Sequence, residues 1–206
     1  MAFSGIYRRI GGHFRHRRHS WLTREFQDCQ TVVDLGGTFE SWNEQGFPHI
    51  TLVNVRPFRG NPPPGFSYLQ ADGCDSHLPG GFDLAFSNSV IEHLGTLERQ
   101  QRFASEMLRL GRRFYCQVPN RWFPVEPHYL GIFLHWLPPS FFSHFLHRWC
   151  TLQGLAGRPS RSESHAIRQR ESIRWLSKRE LLEMFPGCNL RTERFLGWPK
   201  SFIVWR

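Results

Sequence analysis

Short runs of β-branched and apolar residues recur along the chain, and between them the apolar spacing widens from two residues to three or four. Thr31-Val-Val-Asp-Leu35 reads as a strand ended by Gly36-Gly37, and Ile50-Thr-Leu-Val-Asn-Val55 as a second. A brief helical or irregular piece surrounds Trp42 between them, and Thr23–Gln30 reads as a short helix before the first strand. The stretch Arg56–Gly65 contains Pro62-Pro63-Pro64 and cannot be a helix interior. Third and fourth strands follow at Phe66–Ala71 and Phe82–Phe86. Thr96–Leu110 places Leu97, Phe103, Ala104, Met107 and Leu108 on one helical face, with Gly111 to stop it, and Arg113–Val118 is a fifth strand. Ser177-Lys-Arg-Glu180 is a capping box opening a helix that Pro186-Gly187 closes. Two last strands, near Leu190–Leu196 and Ser201–Trp205, are joined by a turn at Gly197-Trp198-Pro199.

Strands alternating with helices predict an α/β fold built on a mostly parallel, doubly wound seven-stranded sheet, with an antiparallel last strand pair. The segment after the fifth strand, about 119–174, is too long and too aromatic for a crossover and reads as an insertion. The expected organisation is a basic N-terminal arm over 1–24 and a single domain over 25–206 that carries this insertion.

Composition sharpens this. A chain of 206 residues suffices for one core. Its 40% hydrophobic and 15% aromatic content argues against disorder, and the lack of any run near ~18 apolar residues excludes a transmembrane helix. The 26 basic residues outnumber 17 acidic ones, for a net charge of +9. That excess is concentrated: residues 1–24 hold six Arg and no acid, and residues 144–179 hold eight basic residues against Glu163 and Glu171. Such segments point to an anionic partner. Five scattered cysteines without a C-x-x-C read as reduced thiols of a cytoplasmic protein. The N-terminus lacks the apolar segment of a secretion signal. Phe3, Ile6, Tyr7, Ile10 and Phe14 stand at near-helical spacing, which makes the arm a candidate contact to an anionic membrane surface, although Gly11-Gly12 is expected to interrupt a long helix.

In an open α/β sheet, ligands bind outside the carboxyl ends of the strands where strand order reverses. Asp34-Leu-Gly36-Gly37-Thr38 follows the first strand, Asn54 ends the second, and Ala71-Asp72-Gly73 ends the third. The loop is not G-x-G-x-x-G, so a smaller adenosyl ligand suits it better than a dinucleotide. VVDLGGT, NVRP, LQADGCDSHLPGGFDLAFSNSVIEHL and RRFYCQVPN, in this order, resemble class I S-adenosylmethionine-dependent methyltransferases of the type-11-like group. The resemblance implies a Rossmann-like fold, S-adenosyl-L-methionine as co-substrate, and a cofactor site at matching positions. Asp34, Gly36, Gly37 and Thr38 would lie beside the methionine moiety, Asn54 at the ribose, Asp72 and Gly73 at the adenine, and Asn88 and Ser89 facing the methyl donor. Two departures stand out. Asn54 replaces the usual carboxylate, and Thr38-Phe39 stands where a third glycine is common.

Methyl transfer needs an aligned acceptor and, for a hydroxyl, a general base. Glu92 and His93 after the fourth strand are the first candidates, and His128 at the start of the insertion is the next. Ser89-Val-Ile-Glu92 also reads as a capping box, which is a structural role for Glu92. The spacings His144-x-x-His147-x-x-Cys150 and His13, His16, His19 are not those of a closed zinc motif, and no metal is assigned. The aromatic insertion favours a small, apolar or ring-bearing acceptor. The alternatives are a nucleic-acid methyltransferase using the Arg-rich segments, and a non-catalytic binding module of the same fold. Oligomeric state is not legible in the sequence.

Overall fold

The computed structural model describes residues 2–42, 46–126, 131–155 and 163–206. A helix, α1 (Ala2–Glu25), precedes β1 (Thr31–Leu35), which is followed by a 3₁₀ turn over Phe39–Trp42. Then come β2 (His49–Asn54), β3 (Phe66–Gln70) and β4 (Phe82–Asn88). Helix α2 (Leu97–Leu110) leads straight into β5 (Gly111–Pro119). The insertion holds a small pair, β6 (Val125–Glu126) and β7 (Gly131–Ile132), and two helices, α3 (Pro139–Leu155) and α4 (Glu163–Ser172). Helix α5 (Lys178–Met184) and the hairpin β8 (Asn189–Phe195) and β9 (Trp198–Trp205) complete the chain. Among the described residues no helix is long and apolar enough to cross a membrane.

The seven-stranded sheet has the order β3-β2-β1-β4-β5-β9-β8. Pairing is parallel from β3 through β5 and antiparallel for β5–β9 and β9–β8. Alternation along each strand gives the sheet two apolar faces. Val33, Leu35, Ala85, Phe114, Cys116 and Val204 face α2 and α5, whose Phe103, Met107, Leu110 and Leu181 close that core. On the other face Val32, Leu52, Leu84, Tyr115 and Ile203 pack under Leu22 of α1, with Phe26, Trp42 and Phe47. No α-helix links β1 to β2 or β2 to β3 among the described residues, so α1 supplies the cover that crossover helices would give.

Several sequence expectations shift here. Of the helix expected over Thr23–Gln30 only Thr23–Glu25 is helical, as the tail of α1, which runs unbroken through Gly11-Gly12. Burial of Phe14, Leu22 and the following Phe26 outweighs the roughly 1 kcal/mol that each mid-helix glycine costs. Gly111 does stop α2, but it is already the first residue of β5; an added Cβ would meet Ala85 N and Arg113 O at 2.5 Å. The hairpin turn is Leu196-Gly197, both left-handed at φ 49° and 84°, as a two-residue hairpin turn requires. Trp198 and Pro199 fall inside β9, with an irregularity in register beside Glu193 and Arg194. The Ser177 capping box forms as expected. The one at Ser89 does not. Ser89 sits at φ 57° and its hydroxyl donates to Gln117 Oε1 (2.7 Å), so the 3₁₀ turn over Ile91–Leu94 has no side-chain cap.

Candidate functional site

Strand order reverses between β1 and β4, and a cleft of about 490 Å3 opens there at their carboxyl ends. Asp34, Gly36, Gly37, Thr38 and Asn88 line it from the sheet side. Arg15, His16, Arg18 and His19 line it from α1. Phe86 and Tyr115, stacked with centroids 4.9 Å apart, also contribute to its wall.

Asp34 is the chemically unusual member. It is 1% exposed, and its Oδ2 accepts from Trp42 Nε1 at 2.7 Å. Oδ1 is buried and has no hydrogen-bond partner among the described residues. Burial pushes the carboxyl up to about 7, with the Trp42 bond working against it. The glycine after it is dictated by this geometry, because a Cβ on Gly37 would lie 1.7 Å from Asp34 Oδ2. Gly36 turns the chain at φ 88°, and a Cβ there would strike the Val90 side chain at 2.6 Å.

Asn54 holds this loop from the end of β2. Its Nδ2 donates to Gly36 O (3.3 Å) and Gly37 O (3.1 Å), while Oδ1 accepts from Arg56 N (3.1 Å). A carboxylate could not make the first two bonds, since carbonyls need a donor. Asp72 lies past β3, paired to Arg99 Nη2 at 2.9 and 3.2 Å and accepting from Cys74 N at 3.0 Å. Burial would raise this carboxyl, but the Cys74 amide and the Arg99 guanidinium outweigh it and hold Asp72 below the ordinary range. Gly73 is a packing requirement, because a Cβ would come within 2.9 Å of the Phe103 ring.

The structure thus brings Asp34, Gly36, Gly37, Thr38 and Asn88 together in one cleft. Asn54 stands just behind the loop, and Asp72, Gly73 and Ser89 lie outside the cleft lining. Glu92 and His93 do not line it either. Glu92 is 1% exposed, with its carboxylate 4.0 Å from His93 Nε2 and its main-chain oxygen accepting from Arg174 N. His128 lies outside the described residues. The sequence reading missed the α1 wall. Its signal was the three- and four-residue spacing of Arg15, His16, Arg18 and His19, which puts cations and imidazoles on one helical face.

No family model matches the chain. Two uncharacterized proteins of Mycobacterium tuberculosis, from strains CDC 1551 / Oshkosh and ATCC 25618 / H37Rv, are each 42% identical over 108 residues. The match covers 52% of this chain and 34% of theirs, so it spans about a third of those relatives' length. Solved structures align over most of the chain. Magnesium protoporphyrin IX methyltransferase (ChlM) from Synechocystis PCC 6803 with bound SAH has a TM-score of 0.57 at 13% identity, covering 100% of this chain and 86% of that one. N-methyltransferase NodS from Bradyrhizobium japonicum WM9 gives 0.52 at 9% identity, over 93% and 94%. 1,6-Didemethyltoxoflavin-N1-methyltransferase from Burkholderia thailandensis, with its namesake ligand and S-adenosylhomocysteine bound, gives 0.53 at 13%, over 93% and 76%. At these identities the likeness is one of fold.

Proposed function

We propose that this chain, which has the fold of class I S-adenosylmethionine-dependent methyltransferases, binds that co-substrate in the cleft and transfers its methyl group to a small acceptor. The observation that carries this reading is Asp34. It is a buried acid at the fold's ligand-binding edge, half-satisfied by Trp42, with a second oxygen that has no partner among the described residues, in the wall of a cleft whose opposite wall is cationic. A ligand bearing both an ammonium and a carboxylate suits that arrangement, the ammonium at Asp34 Oδ1 and the carboxylate toward Arg15 or Arg18.

The sulfonium, when bound, supplies an already activated methyl group, so the protein's work is alignment and exclusion of water. Gly36 and Gly37 let backbone approach the ligand, and Thr38 and Asn88 flank it. In this reading Asn54 is a positioning residue that fixes the loop carbonyls, and Asp72 with Arg99 marks the adenine end. For a hydroxyl acceptor the base sits on α1, at His16 or His19, because these imidazoles share the cleft and His93 does not.

Calorimetric titration with S-adenosylhomocysteine tests the reading. The wild-type chain should bind it and, at about 100 times the dissociation constant, gain roughly 2.7 kcal/mol of stability. Asp34→Asn should lose that gain while its ligand-free melting temperature is retained or raised. Absence of any ligand-dependent stabilisation in the wild-type chain would sink the proposal.

A further inference from the structure

A second hollow, about 230 Å3, lies between α1 and the β8–β9 hairpin. Four arginines line it: Arg17 and Arg18 from α1, Arg191 and Arg194 from β8. The acid in its lining is Glu193, which is already engaged. The Ser201 hydroxyl donates to Glu193 Oε2, and Arg18 Nη1 stands 3.7 Å from the same oxygen. Arg191 lies 5.5 Å over the Trp21 ring, and Arg194 Nη1 donates to Gly197 O at 2.9 Å. Phe14, Trp21 and Ile203 give the hollow apolar walls.

One carboxylate cannot neutralise four guanidinium groups, and a further cation stands behind them. Lys200 Nζ lies 4.6 Å over the Phe14 ring, and its ammonium is pushed down to about 8, first by burial and then by Arg18 and Arg15, against the pull of Glu193. The local potential is therefore positive, and guanidinium groups are planar donors that suit the oxygens of an entering anion. A polymer backbone would want an extended groove. This hollow is small, walled by two aromatic rings, and shares Arg18 with the larger cleft.

We propose that the hollow is an anion subsite for the acceptor. The acceptor is then a small, ring-bearing or apolar molecule carrying a phosphate-type group, held by Arg17, Arg18, Arg191 and Arg194 while its other end reaches the cleft near Asn88. Its role as an acceptor subsite rests on the methyltransferase reading; its capacity to bind the anion does not.

Phenyl phosphate is the probe, titrated calorimetrically into the full chain with and without saturating S-adenosylhomocysteine. The wild-type chain should bind it, and the double variant Arg191→Ala/Arg194→Ala should weaken that binding about tenfold or more while leaving S-adenosylhomocysteine binding unchanged. Neither arginine lines the larger cleft, and an unchanged melting temperature checks the variant's fold. Asp34→Asn should show the reverse, losing S-adenosylhomocysteine but keeping phenyl phosphate. Equal binding of phenyl phosphate by the wild-type chain and the double variant overturns the subsite, as does equal affinity for neutral phenol. So does binding of an oligonucleotide or of phosphatidylglycerol vesicles with none of phenyl phosphate. Phenyl phosphate binding without any S-adenosylhomocysteine binding overturns the methyltransferase reading and the acceptor role, and leaves the anion site standing.

Discussion

Asp34 and Gly37 are one device, in which a carboxylate is buried against a backbone that has no room for a side chain. Moving a carboxyl from its ordinary 3.8 to about 7 corresponds to about 4 kcal/mol, at most, held against the charged form. The sign follows from where the proton resides. Between pH 3.8 and 7 the folded chain keeps a proton that the unfolded chain has lost, so this group's contribution to stability falls as pH rises through that window. Above pH 7 the full cost is present. Asp34→Asn, which can keep the Trp42 bond, should therefore melt higher than wild type at about pH 8, with the difference shrinking toward about pH 4; melting curves across that range check it. Arg15, His16, Arg18, His19 and Glu40 line the same cleft, and the first four are cationic or can become so. The sequence showed that an acid and two glycines stand together after a strand. It could not show that the acid is buried, because burial depends on Trp42 and on α1, which local spacing does not connect to it. Asn54 was legible as a departure, but its two bonds to the loop carbonyls were not, since they depend on where the β1 loop folds relative to β2.

Helix α1 inverts the expectation drawn from its composition. Six arginines and a Gly-Gly pair read as an arm, but from Phe14 onward one stripe is core and the other lines the cleft and the hollow beside it. Its apolar positions are sparse, Phe14 and then Leu22 with Phe26 beyond, so periodicity alone under-reports them. Gly12 gives a direct test of its continuity. It sits in the helix with open space on its side-chain side, and an added methyl would meet nothing within 4 Å. Gly12→Ala should stabilise the chain by roughly 0.5–1 kcal/mol, read as a rise of roughly 1–4 °C in melting temperature; a fall would mean that the helix breaks there. The capping box at Ser89 shows the converse error. The residue types were right, but the tight turn out of β4 pulls Ser89 into the left-handed region and gives its hydroxyl to Gln117. Where strands were rich in β-branched residues, as in β1 and β2, the reading located them to within a residue, because such runs have few competing conformations.

The sheet joins two cores of different kinds, and the insertion adds a third. Leu134, Phe142 and Leu146, with Leu137 and Ile167, form their own small cluster, separate from both faces of the sheet. Among the described residues its hydrogen bonds to the body include Arg174 N to Glu92 O (2.8 Å) and Asn120 Nδ2 to Pro199 O (2.8 Å), whereas the His135 and Trp136 rings reach only Arg121 O within the insertion. So small a core supports less cooperative stability than the sheet. Native-state hydrogen exchange should show α3 and α4 opening at lower free energy than β1, β4 and β5. Exchange of all these elements in a single step would mean that the insertion is integral to the main core. The basic excess is divided as well: α1 brings Arg15 and Arg18 to the cleft opposite Asp34, and α1 with β8 brings four arginines to the hollow beside it.

The direct passage from α2 into β5 has a further consequence. Leu110 ends a helix and Gly111 opens a strand, and that strand pairs with β4 so that Gln117 stands opposite Asn88 at the rim of the cleft. There is no slack between them. One residue added near that junction has nowhere to go except into a turn of the helix by about 100° or a slip of the strand, and a slip exchanges Tyr115 with its neighbours across the two faces. Elsewhere, as in the proline-rich stretch between β2 and β3, the chain can lengthen without moving the site. Here its length is a measuring rod, and the rim of the cleft at Asn88 is set by the count of residues at the end of a helix that does not line it.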